Sequence, residues 1–367
     1  MIASVPIEIF AADLIAVAAR LFVGSGLSEQ SAKTVAEALV QADLEGLPSH
    51  GVLLVDLYVD RLRAGSVSGA DNSHIVSDRG CCVVLDAAHG LGQVTGDSAM
   101  ATAIARAKEH GAGVVAVRHA FHFGAARRYA LAATDKDCIG IVMCNTRPLM
   151  PAPGGAKRVV GNNPIAIAVP CEGAIPLVLD MATSEAAMGK IRLAEKAGEA
   201  IPAGWALRGD GSPTTIPAEA IAGMLLPAAG PKGFGLALII DLMCGLLSGG
   251  ASGDKVNPLY GDPAVPYDCS HLFVAIDVAH FCDPSWFRAQ SAAAAQHIRG
   301  GKRAPCIGEL FVPGEPEWRR AQSAAGKVKV ERAVADKLMK LARELGVSAD
   351  PLPALLHVSL ENGYAQT

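Results

Sequence analysis

The sequence predicts an α/β fold in which helices from both chain ends pack around a central sheet. In the middle of the chain, short apolar runs alternate with segments whose apolar residues recur at helical spacing. At both ends the helical spacing continues without such runs between the segments. Alternation of this kind is typical of strands joined by helices, and the terminal helices would cover the resulting sheet.

The individual elements follow from the same periodicities. Gly65 and Gly111 are expected to end their helices in the left-handed conformation. The Gly-, Pro- and Ala-rich stretch 195–231 is expected to be mostly loop. The predicted helices are 7–22, a helix capped by Ser28, 51–64, 97–110, 124–134, 234–248, 284–299 and 328–345. The predicted strands are 81–86, 113–118, 138–144, 165–169, 177–181 and 271–277.

Composition excludes several classes of protein. The 367 residues are 51% hydrophobic and 19% charged, which is typical of a globular chain long enough for two domains. A net charge of −4 argues against a broad surface for nucleic acid or anionic membrane. The apolar run Leu236 to Leu247 contains Asp241 and is short for a bilayer span. Nine cysteines without a CxxC pair, and no apparent signal peptide, predict a reduced, cytoplasmic protein.

Three glycines, Gly90, Gly92 and Gly96, imitate the fingerprint of a dinucleotide-binding βαβ unit. Their spacing is one residue too long, and the next strand ends in Arg118 and His119 instead of an acid. We therefore expect a strand-to-helix turn with glycines at positive φ.

His50 is the first candidate for acid–base chemistry. Imidazole can give and take a proton near neutrality, and the Ser49 hydroxyl could orient the ring or relay the proton. The alternative is that Ser49 only caps the following helix. His119 and His122 are three residues apart, but no further ligand follows at metal-binding spacing, so we expect no metal site.

Other polar clusters lie where strands are predicted to end. Small residues after His122 would bring backbone N–H groups close to a ligand, and Thr146 follows an apolar strand. Asn163 offers an amide, and Asp180 either holds a hydroxyl-rich ligand or caps a helix. Each of these clusters also has an ordinary explanation in turn chemistry.

Lys232 lies between glycines at the start of an apolar helix, where the helix dipole repels a cation. A phosphate or carboxylate partner would compensate for this repulsion. The turn that contains Gly314 and Glu315 carries one carboxylate and has no such signal of its own.

Eight short motifs occur in order along almost the whole chain: SHGV (49–52), HFGAA (122–126), GNNP (161–164), DMATS (180–184), GKI (189–191), GPKGFGL (230–236), LSGG (247–250) and PGEPE (313–317). Together they resemble the malate/L-lactate dehydrogenase family of the second, non-Rossmann type, also called sulfolactate dehydrogenase-like. The resemblance implies a mixed-sheet NAD(P)-binding domain over 119–283. It also implies a helical/mixed substrate and dimerisation domain from 1–118 and 284–367, and a homodimer.

The resemblance further implies hydride transfer between a nicotinamide and a small 2-hydroxy acid or 2-oxo acid. The alternatives are an NADPH-dependent reductase of cyclic imino acids and an NAD-binding protein without catalysis. His50, Ser49 and His122 would be catalytic, and Asn163 would contact the substrate. The implied contacts to NAD or NADP are His122, Phe123, Gly124, Ala125, Thr146, Asp180, Met181, Ala182, Thr183, Lys232, Gly233, Gly314 and Glu315.

One position departs from the family pattern. Many members carry an arginine three residues after the SHG glycine, where it can bind the substrate carboxylate, and this chain has Leu54. Leucine cannot replace a bidentate guanidinium, so either Arg61, Arg147 or Arg118 takes that role or the substrate is not a simple 2-oxo acid. Lys190, where imine-reducing members have an aspartate, favours carbonyl and alcohol chemistry.

Overall fold

The computed structural model describes residues 6–355. Its helices are α1 (Ala11–Gly24), α2 (Glu29–Leu44), α3 (Val55–Ala64), α4 (Gly92–His110), α5 (Arg127–Thr134), α6 (Met188–Ala197), α7 (Pro217–Ala222), α8 (Pro231–Ser248), α9 (Pro284–Arg299), α10 (Glu315–Ser323) and α11 (Arg332–Leu345). Its strands are β1 (Ile7–Phe10), β2 (His74–Arg79), β3 (Cys82–Asp86), β4 (Ala112–Ala120), β5 (Cys138–Cys144), β6 (Met150–Pro151), β7 (Arg158–Val160), β8 (Ile165–Val169), β9 (Leu177–Met181), β10 (Ala206–Leu207), β11 (Pro213–Thr214), β12 (Met224–Leu225), β13 (Cys269–Asp277) and β14 (Lys327–Val330).

The central sheet has seven strands in the order β2-β3-β4-β13-β5-β8-β9. Only β3 and β4 pair in parallel, and the other neighbours pair antiparallel. The sheet is therefore mixed, as predicted. β13 lies between β4 and β5 and runs against both, so β4 and β5 end at the same edge. β8 begins and β9 ends at that edge as well, which gathers four loop regions there.

Helices cover both faces of this sheet. α4 packs against β4 and β13, and α5 packs against β5 and β8. α8 contacts β4, β5 and β13. By length and composition, α8 is the one helix within residues 6–355 that could cross a bilayer. It begins at Pro231 and is longer than the apolar run seen in the sequence, but one face packs on the sheet and its Asp241 is buried.

The two chain ends differ from the prediction. Residues 7–10 and 327–330 form antiparallel strands, with Ile7 opposite Val330, where the sequence indicated the first turns of two helices. The helices begin only at Ala11 and Arg332. Ile7 and Ile9 are both buried, which is the alternation of a strand. A run of four residues is too short for its period to be separated from that of the helix that follows.

The turn before α4 also differs from the prediction. Ala88 and His89 have φ values of 48° and 57°, whereas Gly90, Gly92 and Gly96 are absent from the positive-φ residues. A Cβ at Gly92 would lie 2.3 Å from the carbonyl oxygen of Phe121. The glycine thus allows α4 to start directly against the turn that follows β4. Gly65 and Gly111 do end their helices in the left-handed conformation, as predicted.

The stretch 195–231 is more ordered than predicted. It contains α7 and the three-stranded sheet β11-β10-β12. Apolar side chains from this stretch, from α6 and from β6 form a cluster separate from the main core, and its buried members include Met150, Ile191 and Leu225. We call this cluster and the elements that form it the small lobe. In it, the start of α6 lies close to Ser49: a Cβ at Gly189 would be 3.8 Å from the Cβ of Ser49.

Candidate active site

Two histidines meet at the sheet edge where β4 ends. The rings of His50 and His122 stack with centroids 5.7 Å apart and planes 23° apart. His122 follows β4, and His50 ends a short 3-10 turn over Pro48–His50 that precedes α3. The Ser49 hydroxyl lies 3.0 Å from Nδ1 of His50, which leaves Nε2 of that ring free of this contact. The structure therefore brings together all three residues predicted to be catalytic.

Burial keeps both imidazoles neutral at neutral pH. Burial, together with the nearby His50 and His271, lowers the pKa of His122 to about 3. Burial also lowers the pKa of His50, although its side chain is half-buried and still reaches solvent. A neutral imidazole can accept a proton, so the pair is suited to acid–base chemistry at a recessed site.

Two residues that sequence reasoning missed support His122. Nδ1 of His122 lies 2.6 Å from the Tyr58 hydroxyl, and Nε2 of Gln93 donates to that hydroxyl at 3.0 Å. Tyr58 comes from α3 and Gln93 from α4, and neither is exposed. Tyr58 and Gln93 have no local motif, and only the packing of α3 and α4 on either side of the turn brings them to the histidine.

A third missed residue, Asp43 on α2, holds the turn that carries His50. The backbone N–H of Val52 donates to its carboxylate at 2.8 Å. A Cβ at Gly51 would lie 1.9 Å from a carboxylate oxygen of Asp43, so any other residue there would displace this carboxylate. Burial raises the pKa of Asp43 to about 7.

Asp180, at the end of β9, faces the turn after His122. The backbone N–H of Arg127 donates to its carboxylate at 3.2 Å. Asp180 is open to solvent on one side, but the surrounding protein desolvates it and raises its pKa to about 6. Arg127 itself is buried between Glu45 and Glu317, at 3.3 and 3.5 Å. The turn 122–126, which includes Phe123, Gly124 and Ala125, therefore lies directly beside Asp180.

The segment after Asp180 in turn meets the start of α8. A Cβ at Gly233 would lie 3.0 Å from the carbonyl oxygen of Thr183, so the two backbones touch. Met181 and Ala182, which lie between Asp180 and Thr183 in the chain, are half-buried. Lys232 is exposed in the first turn of α8. Thr183 Oγ1 is buried without a hydrogen-bond partner among residues 6–355.

Thr146 and Asn163 also lie together, but Asn163 is fully engaged. Its Oδ1 accepts hydrogen bonds from the N–H and hydroxyl of Thr146, at 2.8 and 3.2 Å. Its Nδ2 donates to the carbonyl oxygen of Ala237 in α8 at 2.9 Å. Since Asn163 is buried, it positions Thr146 and α8 and has no free face for a substrate, contrary to the predicted contact.

The three candidate arginines have different environments. Arg61 is buried, and its guanidinium donates to the carbonyl oxygens of Pro258, Leu259 and Val265. Arg118 pairs with Asp86 at 3.0 Å. Arg61 therefore holds a loop, and the predicted substrate contact does not fit it.

Arg147 is half-buried and has no carboxylate or carbonyl partner in the part of the chain that the structure describes. Burial and the nearby Arg158 lower its pKa. Position 54, where many family members carry an arginine, holds a leucine that is buried in the core and therefore supplies no cation.

Glu315 does not present its carboxylate to the site. Arg299 and Arg319 each donate to it at 2.8 Å, and it is fully buried. Its neighbour Gly314 packs against Val178, two residues before Asp180, where a Cβ would lie 2.4 Å from a side-chain carbon. The backbone of this turn therefore lies beside the strand that carries Asp180.

Cys144, Cys269 and His271 form a buried group whose ligand atoms all lie within 4.8 Å of one another. Sγ of Cys144 donates to the carbonyl oxygen of Asn145 at 3.0 Å, and Sγ of Cys269 lies 3.3 Å from Nε2 of His271. Both thiols thus have partners inside the sheet, and the group offers three of the four ligands that a structural zinc site takes.

Comparison with known proteins gives a consistent result. The family model described as malate/L-lactate dehydrogenase matches residues 9–339. A malate dehydrogenase of Pyrococcus abyssi is 35% identical over 344 residues, covering 91% of this chain and 94% of that protein. An NAD(+)-dependent ureidoglycolate dehydrogenase of Escherichia coli O157:H7 is 35% identical, covering 82% and 86%. The solved sulfolactate dehydrogenase of Methanocaldococcus jannaschii superposes with a TM-score of 0.88 at 35% identity, covering 94% and 98%.

Proposed function

Because this chain belongs to the malate/L-lactate dehydrogenase family, we propose that it transfers a hydride between a small 2-hydroxy acid and NAD or NADP at the His50–His122 pair. The chain is an NAD(P)-dependent 2-hydroxy acid dehydrogenase, and its relatives favour this activity over imino acid reduction or silent binding. The stacked pair of neutral imidazoles carries the proposal for the site. One of them can accept the hydroxyl proton while the hydride leaves the same carbon.

The residues around Asp180 and Lys232 suit a dinucleotide. Lys232 is a cation without an acid partner among residues 6–355, in a helix turn that itself attracts anions. Thr183 offers an unpartnered hydroxyl, and Asp180 is a recessed carboxylate that can accept from ribose hydroxyls. When bound, the nicotinamide supplies the hydride acceptor or donor. The chain orients the cofactor and supplies the charged groups around it.

Substitution Lys232→Met should weaken cofactor binding. A charge-assisted hydrogen bond contributes roughly 1.5–3 kcal/mol, which corresponds to a rise in the Kd of NAD(P) of about ten- to a hundredfold. Titration of the coenzyme against protein fluorescence or by calorimetry measures it. The matched control is Lys196→Met, an exposed lysine on α6, which should leave the Kd unchanged. Equal Kd values for both variants would remove Lys232 from the cofactor site.

Of the three candidate arginines, we propose that Arg147 binds the substrate carboxylate. It follows Thr146 in the chain and lies near Tyr267, whose charge raises the pKa of Arg147. The ring centroids of Tyr267 and Phe121 are 6.2 Å apart, and Phe121 directly precedes His122. The half-buried guanidinium has no internal partner, which is unfavourable until an anion binds. Arg147 therefore takes the role that Leu54 leaves open.

Substitution Arg147→Met is expected to raise the substrate KM by about ten- to a hundredfold, from loss of one bidentate charged contact. Steady-state kinetics at saturating coenzyme measures it, and the coenzyme Kd should stay constant. Arg208→Met, an exposed arginine paired with Glu219 on the small lobe, is the control. An unchanged KM in Arg147→Met would show that another group holds the carboxylate.

The activity itself is tested by a screen of NADH and NADPH oxidation. The substrates are 2-oxo monocarboxylates, 2-oxo dicarboxylates, 3-sulfopyruvate and cyclic imino acids, and the reverse reaction uses ureidoglycolate. We expect turnover with at least one 2-oxo acid. Turnover with imines alone would indicate a reductase of imino acids. Binding of coenzyme without any turnover would indicate a silent protein.

We further propose that the chain works as a cytoplasmic homodimer. The outer face of α8 exposes a large apolar surface, and faces of this kind mark contacts with other proteins. Its exposed apolar residues are Leu236, Leu238, Ile239, Leu242, Leu246 and Leu247. Light scattering after gel filtration should give twice the chain mass, and Leu246→Glu should lower it to one chain. A dimer that survives this change would place the interface elsewhere.

A further inference from the structure

Gln93, Tyr58 and His122 form a chain of hydrogen bonds that leads into the site. Nε2 of Gln93 lies 3.0 Å from the Tyr58 oxygen, which lies 2.6 Å from Nδ1 of His122. Gln93 and Tyr58 are both at 0% exposure, so water does not compete for these contacts. The order of donors and acceptors along the chain therefore depends on protein groups alone.

The amide of Gln93 sets that order. Its Oε1 is buried without a partner among residues 6–355, so the contact with Tyr58 is what orients the amide. In this orientation one N–H donates to Tyr58, while the other N–H and the carbonyl oxygen are unpaired. If the amide were turned around, the oxygen would accept from Tyr58 and both N–H groups would be unpaired. Orphaned N–H groups are rarer in proteins than unpaired carbonyls, which favours the orientation with Nε2 on Tyr58.

The hydroxyl hydrogen of Tyr58 can then be donated to only one of the two groups that this hydroxyl contacts. A phenol carries a single hydrogen, and an amide nitrogen can only donate, so the Tyr58 oxygen accepts from Gln93. Its own hydrogen is donated to Nδ1 of His122, the other polar atom it contacts. A neutral imidazole with an accepting Nδ1 carries its hydrogen on Nε2.

We propose that Gln93 and Tyr58 are positioning residues that fix His122 as the Nε2–H tautomer, so that His122 donates a hydrogen bond to the oxygen on the reacting carbon. This inference rests on the proposed function, and it separates the roles of the two histidines. In oxidation, His50 takes the hydroxyl proton through Nε2 as the hydride leaves for the coenzyme. His122 keeps its own proton and stabilises the developing negative charge on the oxygen.

The test is the tautomer itself, read by nuclear magnetic resonance on protein labelled with ¹⁵N-histidine. His122→Gln identifies the signals of residue 122 by their loss. In the wild type we expect a protonated Nε2 and an unprotonated Nδ1. Tyr58→Phe should release the ring into a mixture of tautomers. Gln93→Glu, measured at a pH where this carboxyl group is ionised, should invert the tautomer, because a carboxylate accepts from Tyr58.

Tyr267→Phe is the control for the tautomer, since it removes a buried hydroxyl on the other side of Phe121 without touching the chain of contacts. The inference is overturned if the wild type carries its hydrogen on Nδ1, or if Tyr58→Phe and Gln93→Glu leave the wild-type tautomer in place. A kinetic readout accompanies it: Tyr58→Phe should lower kcat at least tenfold with the coenzyme Kd unchanged. The spectra need no substrate, so they remain decisive even if no hydroxy acid is turned over.

Discussion

Substitution His50→Ala is expected to lower kcat for oxidation of the hydroxy acid by at least about a hundredfold, the usual contribution of a positioned general base. The alanine cannot take the hydroxyl proton, and water does not reach the same position with the same geometry. The Kd of the coenzyme should change little, because the predicted cofactor contacts lie on other segments. Stopped-flow and steady-state absorbance of NAD(P)H measure the loss directly.

His74→Ala, an exposed histidine on β2, is the control and should keep full turnover. The pH dependence gives a second check. Since burial lowers the pKa of His50, the neutral form that oxidation requires persists below the ordinary histidine range. Oxidation should therefore stay constant from neutrality down past pH 6.5 and fall only at lower pH. Near-normal turnover in His50→Ala would make His122 the base.

Substitution Arg61→Met is expected to destabilise the fold by about 3 kcal/mol or more while kcat and KM change little. The buried guanidinium donates to three backbone carbonyls of the loop 258–265, and methionine would leave them unsatisfied. Burial lowers the pKa of Arg61, and the nearby Asp262 opposes this shift. Urea denaturation followed by circular dichroism measures the free energy of unfolding.

Arg63→Met is the matched control two residues further along α3. Arg63 is exposed and forms an ion pair with Glu344 at 3.0 Å, and exposed pairs contribute from 0 to about 1 kcal/mol. If Arg61→Met instead raised the substrate KM without loss of stability, Arg61 would belong to the substrate site after all, and the assignment of Arg147 would fail with it.

The sequence predicts much of this architecture because strands and helices of the central part have distinct periods. Strands 138–144, 165–169 and 177–181 and the helix 284–299 are observed with these bounds. β1 and β14 were missed because four-residue strands run directly into helices. The order of strands in the sheet has no local signal, since β13 enters between β4 and β5 from far along the chain.

The site was predictable where a residue belongs to a motif, and not where it acts through packing. His50 and His122 are flagged by their neighbours, and the structure stacks them. Asn163 has the same kind of motif, yet its amide is hydrogen-bonded to Thr146 and Ala237 inside the protein. Tyr58 and Gln93 have no motif, because they meet His122 only after α3 and α4 have packed beside its turn. Asp43 has none either, because its partner is a backbone N–H, which any residue at position 52 would supply.

The late strand at the centre of the sheet has a consequence for how the molecule is made. β4 and β5 do not pair with each other, and the strand that joins them, β13, comes only at residues 269–277. Contacts between residues so far apart in the chain close slowly, because the loop entropy is lost before the pairing forms. During synthesis, the sheet edge that bears His50 and His122 stays incomplete until about three quarters of the chain has left the ribosome. A nascent chain that stops earlier contains both histidines but lacks the central strand of the sheet that positions them.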